Sequence, residues 1–209
     1  MQQSSKGLRL RDTASVQHPV HIDFASGQFG YRMRKGGGRQ ELLAKAVGAK
    51  KGLKVVDCTA GLGRDAFLLA SLGCNVTMIE RSAEMVLLLE DALARARMHE
   101  NLLTTLSRLT LVEADALDVL QRMEEVPDAI TIDPMFPKRR KSALVKGDMQ
   151  VLQRFLGVDE DAQALLDLAL DCSCPRVVLK RPIHDQSVEV KPTYSLKGSS
   201  VRFDVFISA

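Results

Sequence analysis

The sequence predicts an α/β fold, a doubly wound and mostly parallel sheet of seven strands that ends in an antiparallel hairpin. Short apolar runs of strand length alternate with segments whose apolar residues recur at helical spacing. The strand pattern at 53–57 passes through a turn carrying Gly61 and Gly63 into a helical pattern. The end of the chain instead places strand patterns around a Lys197-Gly198 turn, which predicts the hairpin.

The chain has 209 residues, enough for one sizeable α/β domain. We expect residues 1–38 to form an N-terminal arm or small strand region and residues 39–209 to form the main domain. Hydrophobic residues make up 45% of the chain and charged residues 26%, as in an ordinary soluble globular protein. No apolar run approaches the roughly 20 residues that cross a bilayer, and the N-terminus lacks a signal-peptide core. We therefore expect a cytoplasmic location without membrane association.

The spacing of cysteine and histidine does not suggest a metal site. The four cysteines are scattered without a CxxC pair, and Cys58 and Cys74 border predicted strands. Buried, reduced thiols are the expected state, in keeping with the cytosol. The four histidines show no ligand spacing either. The sequence therefore predicts no metal.

The spacing of apolar residues predicts the elements in order. The first 20 residues are polar and predict an irregular or ordered arm, and weak alternation over 21–29 predicts one or two short strands. Helices are predicted over 42–47, 64–72, 83–96 (with Ser82 as N-cap), 117–123 and 162–170. Strands are predicted over 53–57, 75–79, 109–112, 129–132, 176–180, 188–190 and 201–207.

Acidic residues end four successive predicted strands. They are Asp57, Glu80, the pair Glu113 and Asp115, and Asp133. In open parallel sheets ligands bind beyond the carboxyl ends of the strands, and unpaired carboxylates are costly to bury in a core. These acids suit a ligand with a cationic amino group, a ribose diol and an adenine amine. S-adenosylmethionine offers all three, and a terminal hairpin on such a sheet is typical of the methyltransferases that use it.

The glycine turn and the strand-end acids predict where such a cofactor lies. Gly61 and Gly63 allow the backbone to approach a ligand, and the helix start offers N–H donors. The expected contacts are Asp57 before the turn, Arg64 and Asp65 near the amino-acid end, Glu80 at the ribose hydroxyls, and Asp115 with the Ala116 backbone at the adenine amine. Gly61, Gly63 and Ala66 also fit the dinucleotide fingerprint, so this turn alone leaves an NAD enzyme open.

The string Asp133-Pro134-Met135-Phe136 carries the more specific signal. It resembles the (Asp/Asn)-Pro-Pro-aromatic motif of methyltransferases that act on exocyclic amines of bases or on amides, with Met135 in place of the second proline. Such an amine is a poor nucleophile because its lone pair is delocalised. Asp133 and the Pro134 carbonyl can accept its N–H groups and aim the lone pair at the methyl group. Phe136 offers a face on which an extruded base stacks.

Basic residues cluster in two loops marked by glycine or proline. We expect both clusters to contact RNA phosphates. The first comprises Arg32, Arg34, Lys35 and Arg39, and the second comprises Lys138, Arg139, Arg140, Lys141 and Lys146.

The strings KGGGR, DCTAGLGRDAFLLASLG, IER, DPMFPKRRKSALVK and VVLKRP together resemble ribosomal RNA small subunit methyltransferase J. The resemblance runs from roughly residue 21 to residue 207. It implies transfer of a methyl group from S-adenosylmethionine to the N2 amine of a specific guanine in 16S rRNA, without a metal. The partner implied is 16S rRNA or the small ribosomal subunit, and no protein partner is implied. The implied cofactor contacts are Arg64, Asp65, Glu80, Arg81, Asp115, Ala116 and Asp133.

The sequence departs from this family pattern at two places. Family members carry an additional N-terminal segment, which is short or absent here, and this leaves open how much substrate-docking surface the N-terminal part supplies. The string from Glu113 to Asp115 is acidic where the family can have small hydroxyl residues, so we expect the adenine contact to differ in detail.

Sequence chemistry alone leaves other functions open. The Asp-Pro motif also permits methylation of adenine N6 or of a protein amide. A nicotinamide-dependent oxidoreductase would use the glycine turn but not the Asp133 motif or the basic residues. A non-catalytic RNA-binding protein would retain the fold and bind RNA without methylating it. The sequence does not identify the guanine, the oligomeric state, or whether the substrate is naked RNA or an assembled subunit.

Overall fold

The computed structural model describes residues 1–13, 19–26, 30, 37–135, 147–157 and 159–208. The strands are β1 (Gln2–Ser4), β2 (Gly7–Arg9), β3 (Lys54–Asp57), β4 (Asn75–Glu80), β5 (Leu109–Glu113), β6 (Ala129–Ile132), β7 (Arg176–Pro182), β8 (Tyr194–Lys197) and β9 (Val201–Ile207). The α-helices are α1 (Leu42–Val47), α2 (Arg64–Ser71), α3 (Ala83–Ala96), α4 (Leu103–Leu106), α5 (Ala116–Gln121), α6 (Gly147–Leu156) and α7 (Ala162–Asp171). Short 3-10 helices lie at Gly37–Gln40 and Glu100–Leu102.

The main sheet has seven strands in the order β5-β4-β3-β6-β7-β9-β8. Strands β5, β4, β3, β6 and β7 run parallel to one another. Strand β9 is inserted antiparallel between β7 and β8. The chain winds outward in opposite directions from β3 and β6, so the topological switch point, where such sheets bind ligands, lies between these two strands. The predicted doubly wound sheet with a terminal antiparallel hairpin is confirmed.

Helices cover both faces of the sheet because the strand residues alternate between two cores. On β3, Val55 belongs to one apolar cluster and Val56 to the other. The first cluster contains residues of α1, α2, α3 and α6, and the second contains residues of α5 and α7. Helix α3 begins where predicted, and the Ser82 hydroxyl accepts a hydrogen bond from the Met85 N–H as the N-cap. The sheet is thereby buried on both sides, and its carboxyl edge is left to bind ligand.

The N-terminal region agrees with the prediction in part. Residues 2–9, expected as an irregular or ordered arm or a small strand region, form a small antiparallel hairpin, and the Leu8 N–H donates to Asp91 on α3. Residues 21–26 contain no strand, although strands were expected over 21–29, and residues 27–29 lie outside the described residues. Their alternation reflects packing of Phe24, which stacks on Phe67 with ring centroids 4.7 Å apart. The division at residue 38 stays a prediction.

The C-terminal half of the chain differs from the predicted elements at two places. Helix α6 was not predicted. The strand expected at 188–190 is wrong: the hairpin partner of β9 is β8, and Val188 is buried outside the sheet, where its carbonyl accepts a hydrogen bond from Arg181. The remaining predicted helices and strands are confirmed within a few residues at their ends. Cys58 and Cys74 are buried, as predicted. Within the described ranges, no helix combines the length and apolarity needed to span a bilayer.

A buried ion pair fastens the terminal hairpin to the sheet. Arg181 on β7 donates through Nε to Asp204 on β9 at 2.6 Å, and their side chains are 4% and 1% exposed. Asp204 also accepts from the Ser195 hydroxyl on β8 and from Arg202. One carboxylate thus holds three strands together. Removing one partner would leave the other as a buried charge with poorer compensation, so the pair is costly to break.

We predict that Asp204→Ala lowers the free energy of unfolding by about 3–5 kcal/mol, because the buried Arg181 charge loses its 2.6 Å partner and keeps only the longer 3.4 Å pair with Asp185. Urea unfolding measures this change. Glu125→Ala is the control, since Glu125 forms an exposed pair with Lys54; its effect should stay within about 0.5 kcal/mol. Equal effects of the two substitutions would contradict the role assigned to Asp204.

Candidate active site

A cavity of about 380 Å³ opens at the carboxyl ends of β3, β4, β5 and β6. This volume is in the usual range for small-molecule sites, roughly 300–1,000 Å³. Residues that follow the four strands form most of its wall, and α6, α7 and the segment between them complete it. The lining residues are Cys58, Thr59, Gly61, Ile79, Glu80, Arg81, Ser82, Ala83, Glu84, Ala114, Asp115, Ala116, Leu117, Asp133, Pro134, Met135, Phe155, Leu156, Asp159, Asp161, Ala162 and Leu165.

The two glycines of the turn after β3 serve different purposes. Gly61 has a φ of +52° and lines the cavity, and an added Cβ would meet only the Thr59 carbonyl, at 3.8 Å. Gly63 has a φ of +67°, but an added Cβ would lie 2.8 Å from Leu89 and 3.1 Å from Phe24. Gly61 therefore leaves the backbone open to a ligand, whereas Gly63 is required by packing against α3 and the N-terminal segment.

Glu80 ends β4 and holds the glycine turn in place. Its Oε2 accepts a hydrogen bond from the Gly61 N–H and its Oε1 accepts one from the Ser82 N–H, both at 2.9 Å. Glu80 lines the cavity, although the residue as a whole is buried. Burial raises the pKa of this carboxyl group, and the two N–H donors act in the opposite direction. The acid that sequence reasoning placed at a ribose thus also fixes the shape of the turn.

Asp133 follows β6 and is held from two sides. Its backbone N–H donates to the Thr59 hydroxyl at 2.7 Å, and its Oδ2 accepts from Lys180 Nζ at 2.6 Å. Lys180 lies on β7 and also donates to Asp65 Oδ2, at the start of α2, at 2.7 Å. The Asp133 side chain is 43% exposed and faces the cavity. Partial burial raises the pKa of Asp133, while the Lys180 charge acts to lower it.

Asp57 lies behind Asp133 at the end of β3. The residue is 4% exposed, and its Oδ1 accepts a hydrogen bond of 3.3 Å from the Thr59 N–H. Burial, together with the charges of Asp65 and Asp133, raises the pKa of Asp57 to about 7. Asp57 therefore keeps its proton at pH values where an ordinary aspartate is ionised.

A second set of contacts fixes the loop that carries Asp133. The Met135 N–H donates to Asp159 Oδ2 at 2.6 Å, and the Asp159 N–H donates to the Met135 carbonyl at 3.2 Å. Arg81 pairs with the same Asp159 and, at 2.6 Å, with Asp161. The loop after β6 is therefore tied to the segment before α7 and, through Arg81, to the end of β4.

The predicted cofactor residues fall into two groups in the structure. Those that line the cavity are Gly61, Glu80, Arg81, Asp115, Ala116 and Asp133. Among the residues the structure describes, Asp57, Gly63, Arg64 and Asp65 lie beside the cavity wall rather than on it. Asp115 is the N-cap of α5, and its Oδ1 accepts from the Leu117 N–H at 2.8 Å. Asp65 reaches Asp133 through Lys180.

The predicted substrate residues are only partly described. Pro134 lines the cavity next to Asp133. Arg39 is exposed in the 3-10 helix before α1. The other predicted substrate contacts lie outside the described residues: Arg32, Arg34, Lys35, Phe136, Lys138, Arg139, Arg140, Lys141 and Lys146.

Sequence reasoning missed Lys180, Thr59, Asp159 and Asp161. Lys180 ends a predicted strand at the same edge as the acids, and this position could have indicated a cation among them. The other three gave no comparable signal, because their roles depend on contacts between distant segments. Among the described residues, no group of histidine, cysteine, aspartate or glutamate side chains has a metal-binding arrangement.

The cavity fits S-adenosylmethionine on the evidence of its wall. Glu80 and Asp115 supply acceptor oxygens on the wall, suited to hydroxyl and amine donors. Ile79, Leu117 and Leu165 supply apolar surface for a purine ring. The open backbone at Gly61 allows close approach of a ligand. A positively charged sulfonium would also be attracted by the carboxylate of Asp133.

Comparisons with known proteins agree with this fit. Residues 1–208 match the family model described as "Putative SAM-dependent methyltransferase". The ribosomal RNA small subunit methyltransferase J of Ectopseudomonas mendocina is 44% identical over 211 residues, covering 99% of this chain and 81% of the relative. The protein of the same name from Aeromonas salmonicida is 48% identical over 194 residues, covering 91% of this chain and 78% of the relative.

Solved structures show the same similarity. A SAM-dependent methyltransferase from Neisseria gonorrhoeae matches with a TM-score of 0.74 and 32% identity, covering 95% of this chain and 78% of that one. The magnesium protoporphyrin IX methyltransferase of Synechocystis PCC 6803, solved with bound SAM, has a TM-score of 0.53 and 16% identity, covering 89% of this chain and 88% of that one. The second likeness concerns the fold alone.

We predict that the free energy of unfolding falls as the pH rises from about 4 to about 7, because of Asp57. The folded state keeps the Asp57 proton up to about pH 7, whereas the unfolded chain releases it near 3.8. The folded state thus binds more protons in this window, and Asp57 contributes a slope of up to about 1.4 kcal/mol per pH unit. Asp57→Asn should remove that slope, so that the variant gains stability relative to wild type as the pH rises.

Urea unfolding at several pH values checks this prediction. Asp118→Asn serves as the control, since Asp118 is exposed on α5. If Asp57→Asn and wild type showed parallel pH dependence, Asp57 would be ionised in the folded protein throughout the window.

Proposed function

From the premise that this chain belongs to the ribosomal RNA small subunit methyltransferase J family, we propose that it methylates the N2 amine of one guanine in 16S rRNA. The chain is a SAM-dependent methyltransferase that acts on ribosomal RNA of the small subunit. The guanine, its N2 amine and the 16S molecule are the proposed part. The observation that supports it best is the Asp133-Pro134 pair in the wall of the cofactor cavity.

S-adenosylmethionine supplies a methyl group on a positively charged sulfur, which leaves as a neutral thioether. The described residues that would hold it are Gly61, Glu80, Asp115 and Ala116, all on the cavity wall. Arg81 would hold the neighbouring part of the wall in place through its ion pairs with Asp159 and Asp161. Methyl transfer from a sulfonium requires no Lewis acid, so the proposal includes no metal.

Asp133 would orient the amine for attack. With Oδ2 held by Lys180 and the backbone N–H held by Thr59, the carboxylate has a fixed position at the cavity. Its Oδ1 can accept one N–H of the substrate amine, and the neighbouring Pro134 carbonyl can accept the other. Both acceptors favour a more pyramidal nitrogen, whose lone pair is then aimed at the methyl group.

The RNA-binding part of the proposal depends on the basic clusters. Arg39 is exposed and available to a phosphate. The remaining members of the two clusters and Phe136 are proposed contacts outside the described residues. Phosphate contacts position an RNA without reading its sequence, so the choice of guanine would rest on the pocket and on the fold of the RNA. Because ribosomal RNA is the substrate, we propose a cytoplasmic location.

We predict that Asp133→Ala abolishes measurable methyl transfer to small-subunit rRNA while rRNA binding is retained. The substitution removes the amine acceptor but no phosphate contact. Transfer of labelled methyl groups measures activity, and filter binding measures RNA affinity. Calorimetric titration with S-adenosylhomocysteine shows whether the cavity is intact, and wild type should not bind NADH in a parallel titration. Asp118→Ala, on the exposed face of α5, is the matched control and should retain activity.

Three outcomes would contradict the proposal in different ways. Turnover by Asp133→Ala would show that the amine is oriented by another group. Binding of NADH in place of S-adenosylhomocysteine would favour an oxidoreductase. Transfer to adenine or to a ribosomal protein, without transfer to guanine, would place the substrate elsewhere within methyltransferase chemistry.

A further inference from the structure

Lys180 joins the loop after β6, which carries Asp133, to the first turn of α2, which carries Asp65. Its Nζ donates to Asp133 Oδ2 at 2.6 Å and to Asp65 Oδ2 at 2.7 Å. The three residues belong to different elements, since Lys180 lies on β7, Asp133 follows β6, and Asp65 lies in the first turn of α2. The Lys180 side chain is 24% exposed, whereas the side chains of Asp65 and Asp133 are 37% and 43% exposed, so the bridge is most buried at Lys180.

We propose that Lys180, tethered by Asp65, is a positioning residue for methyl transfer that fixes Asp133 Oδ2 and presents Oδ1 to the substrate amine. This inference rests on the proposed function, in which Asp133 accepts an N–H of the target amine. Lys180 does not touch the substrate in this arrangement. It acts through the orientation and the ionisation of Asp133.

The geometry separates the two oxygens of Asp133. Oδ2 is committed to Lys180, and the Thr59 hydroxyl holds the backbone N–H of the same residue. Turning the carboxylate away from this position would break the 2.6 Å hydrogen bond between Oδ2 and Lys180 Nζ. A carboxylate held by a charged donor is more rigid than one hydrogen-bonded to water. The remaining oxygen is therefore preorganised as an acceptor.

The electrostatic surroundings explain why a cation is needed at this point. The carboxyl groups that face the bridge come from β3 (Asp57), α2 (Asp65), the loop after β6 (Asp133) and the segment before α7 (Asp159). Burial and the neighbouring carboxylates raise the pKa of Asp133, and Lys180 counteracts them. Burial acts to lower the pKa of Lys180, but the charges of Asp133 and Asp65 raise it. Lys180 thus stays protonated, and its charge favours the ionised form of Asp133.

The proton balance agrees with this assignment. The amine lone pair forms the new N–C bond, the C–S bond breaks, and its electron pair stays on sulfur. The nitrogen then carries a positive charge and must lose one N–H proton. Asp133 Oδ1, which accepts that N–H, can take the proton and pass it to water at the exposed side of the cavity. Lys180 has no free proton site for this step.

The test compares Lys180→Met, Lys180→Arg and Asp65→Asn with wild type. Lys54→Met is the matched control, since Lys54 also lies on a strand of the sheet but its side chain is 64% exposed, in a surface pair with Glu125. The measurements are kcat and KM for small-subunit rRNA over a range of pH, together with calorimetric affinity for S-adenosylhomocysteine.

Lys180→Met should lower kcat about 100-fold, the effect expected from a misplaced catalytic group. It should also move the acid limb of the pH profile upward by about 1–3 pH units, because Asp133 loses the cation beside it. Lys180→Arg should restore the acid limb, since the charge is retained, while kcat stays reduced because the guanidinium has a different shape. Asp65→Asn should show a smaller loss of kcat. In the two Lys180 variants, S-adenosylhomocysteine affinity and KM for RNA should stay near wild type.

The inference is overturned if Lys180→Met has the kcat and acid limb of wild type, or if it loses kcat without any change in the acid limb. If Lys180→Met does not fold, Lys180→Arg decides: an acid limb displaced from wild type would overturn the inference, and a wild-type acid limb with reduced kcat would support it. Failure of the proposed function is distinguishable, because wild type itself would then fail to methylate the rRNA.

Discussion

Several carboxyl groups lie close together at one edge of the sheet, and the site must compensate or neutralise each of their charges. Parallel strands deliver Asp57, Glu80 and Asp133 to the same edge, where burial penalises each charge. The burial penalty is offset in a different way for each of the three carboxyl groups. Glu80 accepts two backbone N–H groups, Asp133 accepts the ammonium of Lys180, and Asp57 keeps its proton up to about pH 7. Of these three, Asp133 combines a charged hydrogen-bond donor with a side chain that is still 43% exposed at the cavity.

The same edge shows why the glycine turn is ambiguous in sequence. The G-x-G spacing is shared with dinucleotide-binding proteins, but here Gly63 is required by Leu89 and Phe24 rather than by a ligand. Gly61 is the glycine that opens the backbone to the cavity, and its N–H is held by Glu80. The glycine turn alone therefore does not distinguish a methyltransferase from a dinucleotide-binding protein. In the sequence, that distinction depends on Asp133 and its loop.

The sheet and most helices could be predicted because their signals are local. Apolar runs, helical spacing and Ser82 as an N-cap are each read within a few residues. The N-terminal hairpin and the strand wrongly placed at 188–190 could not be resolved in this way, since their positions depend on Asp91 and Arg181, which are distant in sequence. The site divides similarly. Asp133 carries a local motif, whereas the Lys180 bridge appears only when β6, β7 and α2 are brought together.

Nucleoside analysis of the product tests the central claim most directly. Small-subunit rRNA that lacks the modification would be incubated with the protein and S-adenosylmethionine carrying a deuterated methyl group, then digested and analysed by mass spectrometry. Our account predicts the label in N2-methylguanosine, at a single guanine of 16S rRNA. Label in another nucleoside, or no label in the rRNA, would contradict it.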